Sequence, residues 1–101
     1  MLRFNVVRVS FPRTTAREQT INTGVDFPSI VRSANIALNG YDIYFLNGDH
    51  HLARLKIDCS NAPIIRGTRV DFTVNYLLRD SSGNVDDPYA GWVDILVIAE
   101  L

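Results

Sequence analysis

The chain has 101 residues, the size of a single domain, with 47% hydrophobic residues, 21% charged residues and a net charge of −1. That balance excludes a disordered chain, and the lack of a basic cluster speaks against nucleic acid or an anionic membrane as a partner. No apolar run is long enough to span a bilayer, and the first residues lack a secretory signal, so a cytoplasmic chain or export by a signal-less route is expected.

Arg3–Phe11 reads as the first strand. Phe4 and Val6 share one parity while Val7, Val9 and Phe11 share the other, so a bulge at Val6-Val7 is expected to turn both sets to the core, and Pro12 to end the strand. Arg13–Thr23 is polar and without period, a loop or edge passage, and Ile21, Val25 and Phe27 alternate as a short second strand. Ile30–Leu38 alternates again. Asn39-Gly40 and Asn47-Gly48 are tight-turn signals on either side of Tyr41–Leu46, because both residue types tolerate positive φ.

Leu52–Cys59 is the next strand, with Leu55, Ile57 and Cys59 inward and Arg54, Lys56 and Asp58 outward. Cys59 is the only cysteine, so no intrachain disulfide can form; it is expected to be a buried, inert thiol. Ile64-Ile65 leads through a turn at Arg66-Gly67-Thr68 into Arg69–Leu78, the clearest strand in the chain. Val70, Phe72, Val74, Tyr76 and Leu78 fall on one face and Asp71, Thr73 and Asn75 on the other. Arg79–Pro88 is a polar loop. Trp92–Glu100 is apolar on both faces apart from Asp94, which marks a central strand or one face buried in an oligomer. Short strands at this spacing, with no convincing helix, predict an all-β fold, an antiparallel β-sandwich of six or seven short strands spanning 1–101 as one domain.

Chemistry is harder to find. His50 and His51 follow Asp49, but adjacent strand residues point to opposite faces and no third ligand lies near, so no metal site is expected there. The acidic loop Asp80–Asp87 offers oxygen ligands, yet its glycine is misplaced for a helix-flanked calcium loop and a bidentate Glu is missing. No serine has a nucleophile-elbow context, and no catalytic residue or cofactor is expected. An aromatic beside polar forks such as Arg79 or Asp80 could stack on a sugar face and hold its hydroxyls; packing between strands is the more frequent use of such aromatics.

The second half of the chain resembles the H-type lectin domain, a family of snail agglutinin-like six-stranded sandwiches. The resemblance rests on Ile36-Ala37-Leu38-Asn39-Gly40-Tyr41-Asp42, the basic strand Leu52-Ala53-Arg54-Leu55-Lys56-Ile57, Gly67-Thr68-Arg69-Val70-Asp71-Phe72-Thr73-Val74, and the closing Leu96-Val97-Ile98-Ala99-Glu100. It covers roughly residues 25–101 and is a matter of pattern more than of rare residues. The resemblance implies a homo-oligomer, a trimer or hexamer, binding N-acetylgalactosamine-type carbohydrate at subunit boundaries. Arg54 matches the arginine of the family's basic strand and Tyr89 a tyrosine before its last strand. Arg79-Asp80 falls where the family has an aromatic-histidine pair and does not reproduce it; His50 and His51 are extra. The expected ligand-binding set is therefore Arg54, Arg79, Asp80, Tyr89, His50 and His51. The alternative is a structural or assembly domain of a multi-protein particle, phage-like or secreted, without sugar binding.

Overall fold

A computed structural model of the chain describes residues 1–14, 17–46, 52–80 and 88–101. They fold as an all-β sandwich. Strands β1 (Leu2–Thr14), β3 (Ser33–Phe45) and β7 (Tyr89–Glu100) form sheet A in the order β1-β7-β3. Strands β2 (Gln19–Asp26), β4 (Leu52–Asp58), β5 (Ile64–Arg66) and β6 (Arg69–Asp80) form sheet B, with β6 in the middle. All pairings are antiparallel.

The alternation in β6 does what its pattern predicts. Val70, Phe72, Val74, Tyr76 and Leu78 are buried, facing Val93, Ile95, Val97 and Ala99 of β7 across a single core. Leu77 is the exception, an outward residue that is nonetheless buried. It lies opposite Lys56, whose ammonium pairs with Glu18 just before β2, so the lysine stem and the ion pair cover it. β7 is a central strand, paired along its length with both β1 and β3.

The two ends of the sandwich are closed differently. At one end the crossover from β2 to β3 buries Phe27 and Val31 and is tied down by backbone bonds: Phe27 N to Thr68 O at 2.8 Å, Val31 N to Gly67 O at 2.9 Å and Arg32 N to Glu100 O at 2.7 Å. At the other end Phe11 stacks on Tyr76 with ring centroids 3.9 Å apart, and Tyr89 meets both rings edge-on at 6.1 Å.

Four details depart from the sequence pattern, each because pairing overrides a local signal. The register runs unbroken through Val6↔Leu96 and Val7↔Ile95, so there is no bulge there and Phe4 and Val6 face outward. Pro12 does not end β1. It sits at the register shift between Phe11 and Thr14, on an edge strand, where a missing N–H breaks no ladder. Asn39-Gly40 is not a turn: β3 continues through it, with the extra residue absorbed in a register shift between Leu38 and Gly40. The last strand starts at Tyr89, earlier than its apolar run, because Tyr89 pairs with Phe45 and Thr14. The Asn47-Gly48 turn lies outside the described residues.

Gly91 is where the backbone leaves least room. Its φ is +151°, and a Cβ there would collide with the Asp42 carbonyl of β3. Gly91→Ala should therefore cost at least about 2 kcal/mol in urea unfolding, while Gly40→Ala, whose Cβ would meet nothing, should stay within about 0.5 kcal/mol.

Candidate functional site

β6 carries the polar chemistry of sheet B on its outward side, and the neighbouring strands complete it. Gln19↔Tyr76 and Asp26↔Arg69 fix the register with β2, so Thr20, Asn22, Gly24 and Asp26 lie beside Asn75, Thr73, Asp71 and Arg69 on the outer face. Thr20 Oγ1 donates to Asn75 Oδ1 at 2.5 Å and Thr73 Oγ1 to Asn22 Oδ1 at 2.7 Å. Near the turn at Gly67, Arg69 Nε donates to Asp71 Oδ1 at 2.8 Å and its terminal nitrogen to Asp26 at 3.2 Å, while Arg66 Nε reaches Asp71 Oδ2 at 3.1 Å. The Asp71 hydrogen bond, reinforced by Asp26, raises the Arg69 pKa above its ordinary value.

At the far end of β6 the register sets Arg54 of β4 opposite Arg79, both on the outer face, with Leu52 opposite Asp80. Arg54 is exposed and Arg79 half-buried, and the two residues are cross-strand neighbours of like charge. Asp80 is buried at the end of the strand. Tyr89 belongs to the other sheet and has no exposed surface. Its hydroxyl donates to the Arg17 carbonyl at 3.0 Å and lies 3.4 Å from the Tyr76 carbonyl. Burial drives its pKa up to about 12, and Tyr76 is raised for the same reason. Of the expected set, then, the register brings Arg54 and Arg79 together as cross-strand neighbours, Arg54 exposed and Arg79 half-buried. Asp80 and Tyr89 are enclosed, where they support that end of the sandwich and do not offer a surface to a ligand. His50, His51 and the acidic loop 81–87 lie outside the described residues.

A feature the sequence reading did not single out lies toward the opposite end of the same face. An open hollow of about 330 Å³ is lined by Asn22, Thr23, Ile64, Arg66, Asp71 and Phe72. The signal for it was the Pro63 break between two strands that pair with one neighbour: β4 leaves β6 at Asp58↔Asn75 and β5 joins at Ile64↔Asp71.

Comparison with known proteins finds no family model that matches the chain, no matching curated protein and no matching solved structure.

Chemically, this face offers polar and charged side chains that can hold polar groups. Among the described residues no three His, Cys, Asp or Glu side chains converge as a metal site. Cys59 is half-buried, and burial first, then the Asp58 charge, raises its thiol pKa, which keeps it protonated. Asp58 itself is held below the carboxylate range by hydrogen bonds from Ser60.

The Tyr89 shift gives a pH dependence whose sign is fixed. The unfolded chain releases this proton near pH 10 and the folded chain only near 12, so the folded state binds more protons between them and stability falls as pH rises. Urea unfolding followed from pH 8 to 11.5 should show this alkaline loss, and Tyr89→Phe should be less stable by about 1 kcal/mol at pH 8 yet lose less above pH 10.

Proposed function

We propose that the chain is a non-enzymatic carbohydrate-binding module, similar to H-type lectins, that works as a homo-oligomer. The observation that carries the reading is the Arg54–Arg79 pair. The arginine of the basic strand is the register partner of Arg79, near the end of β6, and the family resemblance implies a ligand in this region. An exposed guanidinium such as that of Arg54 suits hydroxyl-rich ligands, which are held by many oriented hydrogen bonds. With Asp80 and Tyr89 buried, one subunit offers only part of a site. A ligand at a subunit boundary would take its remaining contacts from a neighbouring copy.

The outer face of sheet A supports assembly. Leu2, Phe4 and Val6 of β1 are 51%, 63% and 48% exposed; they lie beside Glu100 and the half-buried Ile98 and Leu96 of β7, with Asn35 and Ala37 of β3 on the far side of β7. Outward apolar rows of this kind on both an edge and a central strand mark a surface that something covers. The charges around it are already matched: the N-terminal amine lies 3.3 Å from Glu100, and Arg8 holds Asp94 through two bonds of 2.9 and 3.0 Å while lying 3.8 Å above the Trp92 ring. Two charge pairs on this face are thus already matched, and a fully buried Phe or Val contributes about 1.5–3 kcal/mol. The same face favours the second reading, an assembly domain of a multi-protein particle that does not bind sugar.

A glycan array, read with and without calcium, separates the two. Binding that weakens at least tenfold in Arg54→Ala supports the lectin reading, and an array with no signal above background removes it. Sedimentation tests what both share. The wild type should run as a homo-oligomer and Phe4→Glu as a smaller, folded species; a wild type that is monomeric at 100 µM (about the range of weak assemblies) rules out both oligomeric readings.

A further inference from the structure

The hollow at the Gly67 end of sheet B has a defined origin. β6 is flanked on one side by β2 without interruption from Arg69 to Tyr76. On its other side β4 and β5 share the work and leave Phe72–Val74 unpaired, because Cys59–Pro63 runs away from the sheet and makes no backbone bond to β6. Backbone groups of an antiparallel strand alternate between its two flanks, so at least one residue in that interval turns its N–H and C=O to the gap. The hollow lies next to this gap, over Asp71 and Phe72, with Ile64 and Arg66 of β5 on one flank and Asn22 and Thr23 of β2 on the other.

Its lining is mixed, with Ile64 and Phe72 supplying apolar surface and a polar part that is fixed and electrically balanced. Asp71 is gripped by Arg66 through one carboxylate oxygen and by Arg69 through the other, and Arg69 is gripped in turn by Asp26. Two cations and two anions cancel, so the site has little reason to select an ion. The geometry leaves little slack. A Cβ on Gly24 would run into the Asp71 carboxylate and the Val70 carbonyl, so only glycine lets Asp71 lie across β2. Asn22 is oriented by the bond it accepts from Thr73, and Ile64, more than half exposed, supplies an aliphatic wall.

We infer that this hollow is a second ligand site, built for a small neutral polyhydroxylated molecule of monosaccharide size. The volume lies at the small end of ordinary ligand sites, about 300–1,000 Å³. Fixed acceptors on Asp71, donors on Arg66 and Asn22, and the open backbone groups of β6 match hydroxyls, which both donate and accept, while Ile64 packs against the ring carbons. Arg66 Nε is committed to Asp71, which aims the rest of its fork. The site shares no residue with the Arg54–Arg79 pair and is separated from Arg79 by eight positions of β6, about 26 Å of extended strand. It therefore stands or falls independently of the proposed function.

The test is an amide-resolved NMR titration of the full chain with D-glucose, D-galactose and, separately, sodium sulfate. Either sugar should produce saturable shifts at Asn22, Thr23, Ile64, Arg66, Asp71 and Phe72 with a Kd on the order of millimolar. Arg54→Ala should leave those shifts unchanged. Asp71→Asn should weaken them about tenfold. Ile64→Trp, which fills the hollow without touching the ion pairs, should abolish them while the remaining spectrum stays folded. Saturable shifts with sulfate and none with sugar overturn the ligand class. No saturable shift at these residues with any probe, or shifts that survive Ile64→Trp, overturn the site.

Discussion

The packing of β6 against β7 sets the shape of the whole molecule. These strands are consecutive in the chain, yet each becomes the middle of a different sheet, and Val70, Val74, Val93, Ile95 and Val97 meet between them with no exposed surface. Once the two central strands are face to face, the other strands can only be edges, and the sandwich is narrow. The molecule measures 48 × 18 × 17 Å with a radius of gyration of 15.5 Å, against about 13 Å for a compact domain of this length. A narrow sandwich has one thin core and two long outer faces, so the character of those faces decides what it can do.

The two faces take opposite solutions. On sheet B every outward position between Thr20 and Asp26 meets a polar partner on β6, and the ladder of hydroxyls, amides and ion pairs is satisfied within the chain. On sheet A the outward Phe4 and Val6 of β1 and Ile98 and Leu96 of β7 form an apolar stretch, bounded by the Met1–Glu100 pair at one end and by the Arg8–Asp94 pair near the middle of both strands. Asp94 shows how closely: the Arg8 hydrogen bonds hold its pKa below the usual carboxylate range, and the same guanidinium lies over Trp92, so one side chain settles both a charge and an aromatic ring. The first face offers directional bonds and the second offers area.

Much of this was legible from residues alone. The alternation of Val70 to Leu78 fixed both the strand and its inward face, and the two-sided apolar character of Val93–Ala99 marked a central strand. The misreadings share one cause. Phe4 and Val6 were assumed to need the core, so a bulge was invoked to bring them there, when their partners Ile98 and Leu96 make an apolar surface outside it. Asn39-Gly40 has the composition of a turn, but continuous pairing with β7 on both sides of it holds the strand straight. Tyr89 carries a polar tip that sequence cannot assign to solvent or to a carbonyl on another strand; the Arg17 carbonyl, 72 residues away, decides it. Each is a long-range pairing, and no local window contains it.

The same dependence on pairing separates the two arginine pairs of sheet B. Arg66 and Arg69 are register partners across the Gly67 turn, just as Arg54 and Arg79 are across β4 and β6. Like charges directly opposite are unfavourable in a sheet. At the turn the cost is removed inside the chain, because Asp71 sits two residues along on the same face and Gly24 leaves room for its carboxylate between the guanidiniums. Beside Arg54 the neighbouring outward positions on β4 and β6 are Lys56 and Leu77, and Glu18, just before β2, pairs with Lys56. Identical residue pairs in identical register thus acquire different electrostatic characters from a single neighbouring residue. One is a neutral network that shapes a hollow; in the other Arg54 is turned to solvent.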